Sequence, residues 1–199
     1  MTKKISFAVT LSSDELKSIM KKNHVNDSDY LEFMKIYTSV FSKTLVTFHY
    51  CFSEEQNKKL VMLNKESIIV IATLGKALDE IQNQYVAEGK LTQAMYMEYL
   101  SWEYLSKAYS LFRSLFQKRE SLFLSTFQFL DDEYTKEEKK HLFSFVKQQD
   151  VLYNDSCVME PKKSVFFISE YSKRQNCNSL ESLSECANCK NKTCEYHKK

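Results

Sequence analysis

The stretch Glu66-Ser-Ile-Ile-Val-Ile-Ala-Thr-Leu-Gly75 decides how this sequence is interpreted. It is a continuous apolar run rich in β-branched residues, and it predicts a strand that is buried on both faces. Gly75 ends the run where a sharp strand-to-helix turn often needs a residue without a Cβ atom. The sequence therefore predicts a central strand that other elements cover on two sides.

Long helical patterns follow this strand. Residues 76–87 carry apolar side chains at helical spacing, and a longer helix begins at Thr92 and continues through Phe116. The aromatic residues along that helix have the spacing of a core-facing stripe. Residues 121–135 are apolar without a decisive period, and Thr135 then opens another helix with a capping-box pattern.

Two strands and two helices are predicted before the central strand. Residues 5–11 alternate as a strand does, and residues 44–52 are β-branched and aromatic. Between them, Ser12 begins one helix with a hydroxyl cap and following acids, and Asp27 or Ser28 caps a second.

Two further short strands are predicted near the end of the main domain. Residues 151–153 and 164–168 have strand composition, and Pro161 suits the turn between them because it lacks an amide donor.

Composition favours long helices joined by short connections, because the 199 residues include only 2 glycines and 1 proline. The net charge of +2 gives no general case for nucleic-acid binding, so no nucleic acid is expected as a partner. No stretch approaches the roughly 18 apolar residues of a membrane span, and the N-terminus lacks a signal-peptide cleavage site. We therefore expect a cytoplasmic protein without a membrane partner, in which clustered cysteines indicate metal binding more than disulfides.

The densest set of metal-binding side chains lies in the last residues of the chain. Four of the six cysteines and one histidine fall there, namely Cys177, Cys186, Cys189, Cys194 and His197. Zinc takes four sulfur or nitrogen ligands, which this set supplies. An iron–sulfur cluster would use the thiolates of the same segment, with Cys177 as the fourth ligand. The spacing does not decide between the two, so we predict a domain over residues 1–175 and a metal or iron–sulfur binding tail over residues 176–199.

The remaining candidate ligands have structural explanations. Cys51 and Cys157 lie in or beside predicted strands and are interpreted as core residues. His24, His49 and His141 show no metal-ligand spacing and are expected to be surface or hydrogen-bonded structural residues.

Charged pairs and runs are likewise expected to be solvated. These are the acidic run 131–133 and the lysine pairs 162–163 and 198–199.

Three blocks of sequence, in order, resemble the activation domain of cobalamin-dependent methionine synthase and its small stand-alone relatives. The first is Ile71-Ala-Thr-Leu-Gly75, followed by Leu78-Asp79 and a long helix that contains Glu103. The second is Asn154-Asp-Ser-Cys-Val-Met-Glu-Pro-Lys-Lys-Ser-Val165, which is similar to the family's Glu-Ser-x-x-Met-x-Pro-x-x-Ser-Val stretch. The third is the tail motif Cys-x-x-Cys-x4-Cys-x-Tyr, which begins at Cys186.

This resemblance implies an α+β fold with a twisted antiparallel sheet and long flanking helices. It implies an accessory role in the reductive reactivation of a cobalamin-dependent methyltransferase, with a corrinoid protein as partner and cobalamin met only through that partner. In the family, inactive cob(II)alamin is reduced by one electron and then methylated from S-adenosylmethionine. The family context favours an iron–sulfur cluster slightly over zinc in the tail.

The sequence departs from the family at its S-adenosylmethionine site. The family uses an Arg-x-x-x-Gly-Tyr motif, whereas the corresponding interval here contains Arg113, Arg119 and Tyr134 but no glycine. Residues 166–168 are Phe-Phe-Ile where the family continues with Ser-Gly. No residue is therefore assigned to S-adenosylmethionine, and the alternative function is a non-catalytic interaction module whose tail is held by zinc.

Overall fold

The computed structural model describes residues 1–53, 66–130 and 134–174. In these ranges the chain has an α+β fold with an antiparallel sheet. The helices are α1 (Ser13–Lys22), α2 (Tyr30–Ser39), α3 (Lys76–Ala87), α4 (Leu91–Glu120) and α5 (Lys136–Phe145). The strands are β1 (Lys3–Ala8), β2 (Leu45–Phe52), β3 (Ser67–Thr73), β4 (Phe123–Phe129), β5 (Leu152–Tyr153), β6 (Met159–Glu160) and β7 (Ser164–Ser172).

Five strands form the main sheet in the order β1-β2-β3-β7-β4, and every neighbouring pair is antiparallel. The short strands β5 and β6 pair separately with each other. The sheet therefore has β3 at its centre and β1 and β4 at its two edges.

The central strand has the burial that its composition predicts, because every residue of β3 is buried. Ile68 and Val70 belong to the larger hydrophobic cluster, which includes side chains of α1, α2 and α4. Ile69 and Ile71 belong to a smaller cluster on the opposite face, with Leu142 of α5. The alternation of a strand thus divides one apolar run between two cores.

The aromatic stripe of α4 packs against the sheet through Tyr109 and Phe112, as predicted, but the prediction that Trp102 faces the core is wrong, because its side chain is 39% exposed. Phe112 stacks on Phe48 of β2 with ring centroids 4.2 Å apart, and Phe7 of β1 is also stacked with Phe48, at 5.6 Å. Offset aromatic pairs add to the burial of their apolar area, so this stack fixes how α4 lies on the sheet.

The predicted helix caps are confirmed in two of three places. Ser12 and Thr135 each form a reciprocal capping box, with Glu15 and Glu138 respectively. The prediction that Asp27 or Ser28 caps α2 is wrong, because both lie in a 3₁₀ turn (Asp27–Asp29) and no side chain caps α2.

Several predicted boundaries are corrected by tertiary contacts. Strand β1 ends at Ala8 instead of Leu11, because the Val9 amide donates to the Tyr104 hydroxyl at 2.9 Å and the chain leaves the sheet. Residues 123–129 form β4, although the sequence pattern of this segment favours neither a helix nor a strand. Residues 152–153 pair with β6, so Met159–Glu160 is a short strand where only a connection was predicted.

Cys157 is another correction. It lies in the turn between β5 and β6 with a φ of 60°, and it is partly exposed where a core position was predicted. None of the helices in the described ranges combines the length and apolar character that crossing a membrane requires.

Candidate functional site

Two of the sequence blocks meet where β3 ends and β7 begins. Thr73 and Ser164 are opposite each other in the sheet, and the Ser164 hydroxyl donates to Thr73 Oγ1 at 2.9 Å. Leu74 continues the pairing, since its amide donates to the Lys163 carbonyl at 3.0 Å. Thr73 and Ser164, which are 91 positions apart in the chain, thus belong to one local structure, which we call the β3–β7 junction.

Gly75 sets the direction in which the chain leaves β3. Its φ of 84° and ψ of 163° lie in a region that residues with a Cβ atom rarely adopt. No heavy atom lies within 4 Å of where a Cβ would stand, so backbone conformation and not space requires glycine. Its amide donates to Thr73 Oγ1 at 3.0 Å, which ties the turn to the junction.

Asp79 joins α3 to the second block. Its Oδ2 accepts a hydrogen bond from the Lys162 amide at 2.5 Å. Its Oδ1 is buried and has no hydrogen-bond partner, and it is the only such side-chain atom in the described part of the chain. Leaving a buried acceptor unsatisfied costs on the order of 1–3 kcal/mol. Because this oxygen is buried, a partner's donor would reach it only if the junction rearranged.

An ion pair lies beside Asp79. The Lys163 ammonium, on a side chain that is 11% exposed, contacts Glu98 of α4. Gln82 of α3 and the Trp102 indole also donate to Glu98, at 3.1 and 3.0 Å. Burial acts to raise the pKa of Glu98, but these hydrogen bonds together lower it below its ordinary value, so the carboxylate stays ionised.

An apolar surface adjoins this polar network on α4. Trp102 is 39% exposed, and Met95, which lies two helical turns earlier, is also exposed. The site therefore combines an unsatisfied carboxylate oxygen, a neutralised ion pair and a half-exposed indole. Such a combination suits binding, because aromatic side chains beside polar groups dominate the energetics of protein interfaces.

The acidic side chains that the resemblance highlights outside this network make other contacts. Glu103 pairs with Lys22 of α1, and Asp155 pairs with Lys140 at 2.7 Å. Neither contributes to the β3–β7 junction.

Arg113 and Arg119, which lie in the last two turns and a half of α4, support the sheet. Arg113 donates to the carbonyls of Leu124 (at 2.9 Å) and Ser125, and its guanidinium lies 4.0 Å from the Phe127 ring centroid. Arg119 donates to the Lys4 carbonyl at 2.8 Å. Both side chains therefore hydrogen-bond to the backbone of edge strands.

The predicted metal ligands Cys177, Cys186, Cys189, Cys194 and His197 lie outside the described residues, as does the acidic run 131–133. Within residues 1–53, 66–130 and 134–174, no group of three or more acidic, histidine or cysteine side chains could hold a metal.

Cys51 is a core residue, as predicted. It is fully buried, and burial raises the pKa of its thiol to about 11. This thiol therefore stays protonated at neutral pH, unlike the thiolate that metal binding needs.

The histidines behave as predicted. His49 is 5% exposed and bonds to Asp150 at 2.8 Å, which makes it a hydrogen-bonded structural residue. His24 is exposed, and the ring of His141 contacts Phe145.

The sequence missed the contribution of Glu98, Gln82 and Lys163. Lys163 was predicted to be solvated, and this is wrong because its side chain is mostly buried against Glu98. The available signal was the position of Lys163 directly before the predicted strand, where side chains alternate between solvent and core.

No protein-family model matches the chain, and no curated protein matches it.

Proposed function

We propose that this chain is an accessory protein of a cobalamin-dependent methyltransferase of the methionine synthase type, which docks on the corrinoid protein and assists its reductive reactivation. The observation that carries the proposal is the β3–β7 junction, where two of the three blocks that resemble the activation domain contact each other through Thr73 and Ser164. Blocks that are far apart in sequence and close together in space are expected of a functional surface.

The docking surface in this proposal is the α3–α4 side of the junction. Trp102 supplies a half-exposed aromatic anchor, and the exposed Met95 adds apolar contact area. The Glu98–Lys163 pair holds this surface without adding net charge.

The donor atoms of the tail segment suit either of two metal centres. Four thiolates from Cys177, Cys186, Cys189 and Cys194 suit an iron–sulfur cluster, and a set including His197 suits zinc as well. A cluster would supply one electron at low potential, whereas zinc would supply only a structural cross-link.

The test is a reactivation assay with a cobalamin-dependent methionine synthase that holds cob(II)alamin. The chain should accelerate the loss of the cob(II)alamin absorbance in the presence of a reductant, and Trp102→Ala should reduce this effect about tenfold by removing an interface anchor. Leu111→Ala is the matched control, since Leu111 is similarly exposed on the same helix. A rate that is the same with and without the chain would overturn the proposal.

The second candidate is a non-catalytic interaction module with a zinc-held tail. The contacts of Arg113 and Arg119 favour it, because both guanidinium groups bond to backbone carbonyls of edge strands. Phe166 and Phe167, where the family has Ser-Gly, are core residues. Calorimetric titration with S-adenosylmethionine should then show no binding in the micromolar range. A clear micromolar affinity would count against this candidate.

A further inference from the structure

The two edges of the main sheet are protected to different degrees. Edge strands expose unpaired backbone groups, and proteins usually block them with bulges or charged side chains. Strand β4 has both devices: its register shifts between Leu124 and Phe127, and Arg113 bonds to the Leu124 and Ser125 carbonyls. This edge is therefore closed to another strand.

Strand β1 is less protected, because it has no bulge and Arg119 occupies only the Lys4 carbonyl near its start. It pairs with β2 over all six residues without a shift, so it is a regular strand along its whole length. Arg119 bonds to the Lys4 carbonyl, which shows that the Lys4 backbone faces away from β2. Because backbone direction alternates along an antiparallel strand, the N–H and C=O groups of Ser6 also face outward. Ser6 and Ala8 are exposed.

A groove runs beside this open edge. It has a volume of about 460 Å³, with Lys4, Ile5 and Ser6 on one wall and Leu115, Lys118 and Arg119 of α4 on the other. Ile5 and Leu115 give it apolar contact area between the charged side chains.

The charge of the groove is positive. Lys118 has no ion-pair partner among the residues that the structure describes, whereas Lys4 is paired with Asp150. The nearby Glu120 carboxylate already accepts from Lys3 and from the Tyr50 hydroxyl, each at 2.6 Å. Arg119 lies 3.5 Å from Glu120, so Lys118 supplies most of the unbalanced positive charge of a groove whose lining has no acidic side chain.

We propose that the β1 edge and this groove bind an extended, acidic segment of a partner protein by strand addition. The outward N–H and C=O groups of Ser6 would pair with the backbone of the segment. Every second side chain of the segment would face α4, where apolar ones would contact Ile5 and Leu115 and acidic ones would reach Lys118. The surface lies on a different edge from the β3–β7 junction, and the proposal does not depend on the partner being a corrinoid protein.

Charge argues against a second copy of this chain as the occupant. Two β1 strands paired with each other would bring together two copies of Lys3, Lys4 and Lys118, and like charges across an interface are unfavourable. An acidic partner is attracted to the same side chains.

The test uses a fluorescent peptide of the repeat Val-Thr-Glu-Thr, which presents valine and glutamate on the same face, with binding followed by anisotropy. Ser6→Pro removes the outward N–H, and proline is tolerated at exposed edges, so affinity should fall about tenfold while the fold persists. Ser6→Ala is the matched control: it keeps the N–H and loses only the hydroxyl contact with Thr47, so its affinity should stay within about twofold.

A second pair of variants tests the charge. Lys118→Glu should weaken peptide binding about tenfold, whereas Lys35→Glu on the exposed side of α2 should leave it unchanged. If Ser6→Pro does not fold, N-methylation of alternate peptide residues removes the same hydrogen bonds from the other side. Equal affinity of the methylated peptide or of Ser6→Pro, no binding of the unmodified peptide, or a wild-type dimer that Ser6→Pro dissociates would each overturn the proposal.

Discussion

Single buried polar groups link distant parts of this chain. The Tyr104 hydroxyl accepts from the Val9 amide at 2.9 Å and donates to the Thr44 carbonyl at 2.6 Å. The Tyr37 hydroxyl likewise accepts a hydrogen bond from the Leu11 amide, at 2.8 Å. Tyrosine is suited to this because its ring fills apolar space while its hydroxyl satisfies a backbone group. These hydroxyls hold the segment that leaves β1.

His49 makes stability depend on pH. Burial lowers the pKa of His49 below its ordinary 6.5, and the opposing effect of Asp150 is smaller. The unfolded chain therefore binds the proton more readily than the folded one, and the free energy of unfolding should fall as pH drops through about 6.5. Urea unfolding at about pH 5.5 and about pH 7.5 measures this change.

The control is His49→Gln, which can still donate to Asp150 but does not titrate. Its free energy of unfolding should change less than that of the wild type over the same interval. The charged side chains that face the imidazole are Asp150, which bonds to it, and Lys4, which bonds to Asp150. If the two proteins have the same pH dependence, burial of His49 is not its source.

At the scale of elements, helices were easier to predict than edge strands. Helix α4 carries a long 3.6-residue pattern, so its existence follows from the sequence. Strand β4 was missed because the irregularity between Leu124 and Phe127 interrupts the two-residue alternation that identifies a strand. The end of β1 was misplaced because Val9 and Leu11 are buried outside the sheet, and burial alone does not distinguish the two cases.

The candidate site was predictable only in part. Gly75 and Asp79 stand in the first block, and the end of a buried strand is visible in the sequence. The contact between Glu98 and Lys163 joins residues 65 positions apart, and it depends on how α4 crosses the sheet. No local sequence pattern predicts such a long-range pair.

The stack between α4 and the sheet gives an element-scale prediction. Phe112 is fully buried against Phe48 and Tyr50, so Phe112→Ala should lower the free energy of unfolding by about 3–5 kcal/mol. Leu111→Ala, at the neighbouring exposed position, should change it by about 0.5 kcal/mol or less. Chemical denaturation of both variants measures the difference. A similar loss in the two variants would mean that helix propensity, and not the aromatic stack, determines the cost.

At the scale of the whole molecule, the described residues form two hydrophobic clusters. The larger cluster lies on one face of the sheet and the smaller on the other, and β3 contributes to both. Burial of this extent is enough to fold a domain of this length. The 1–175 domain is therefore expected to fold without the cysteine-rich tail.

Truncation after residue 175 tests this division together with the metal. The shortened chain should keep its unfolding free energy within about 1 kcal/mol and lose the metal, because all predicted ligands lie in residues 176–199. In the full chain, Cys186→Ser with Cys189→Ser should also lose the metal, whereas Cys157→Ser should retain it. Metal analysis of protein prepared without oxygen measures both results.

Iron with visible absorbance supports the electron relay, and colourless protein with stoichiometric zinc leaves the tail a structural role. Metal retained after truncation would place the ligands within the first 175 residues and contradict the assignment to the tail.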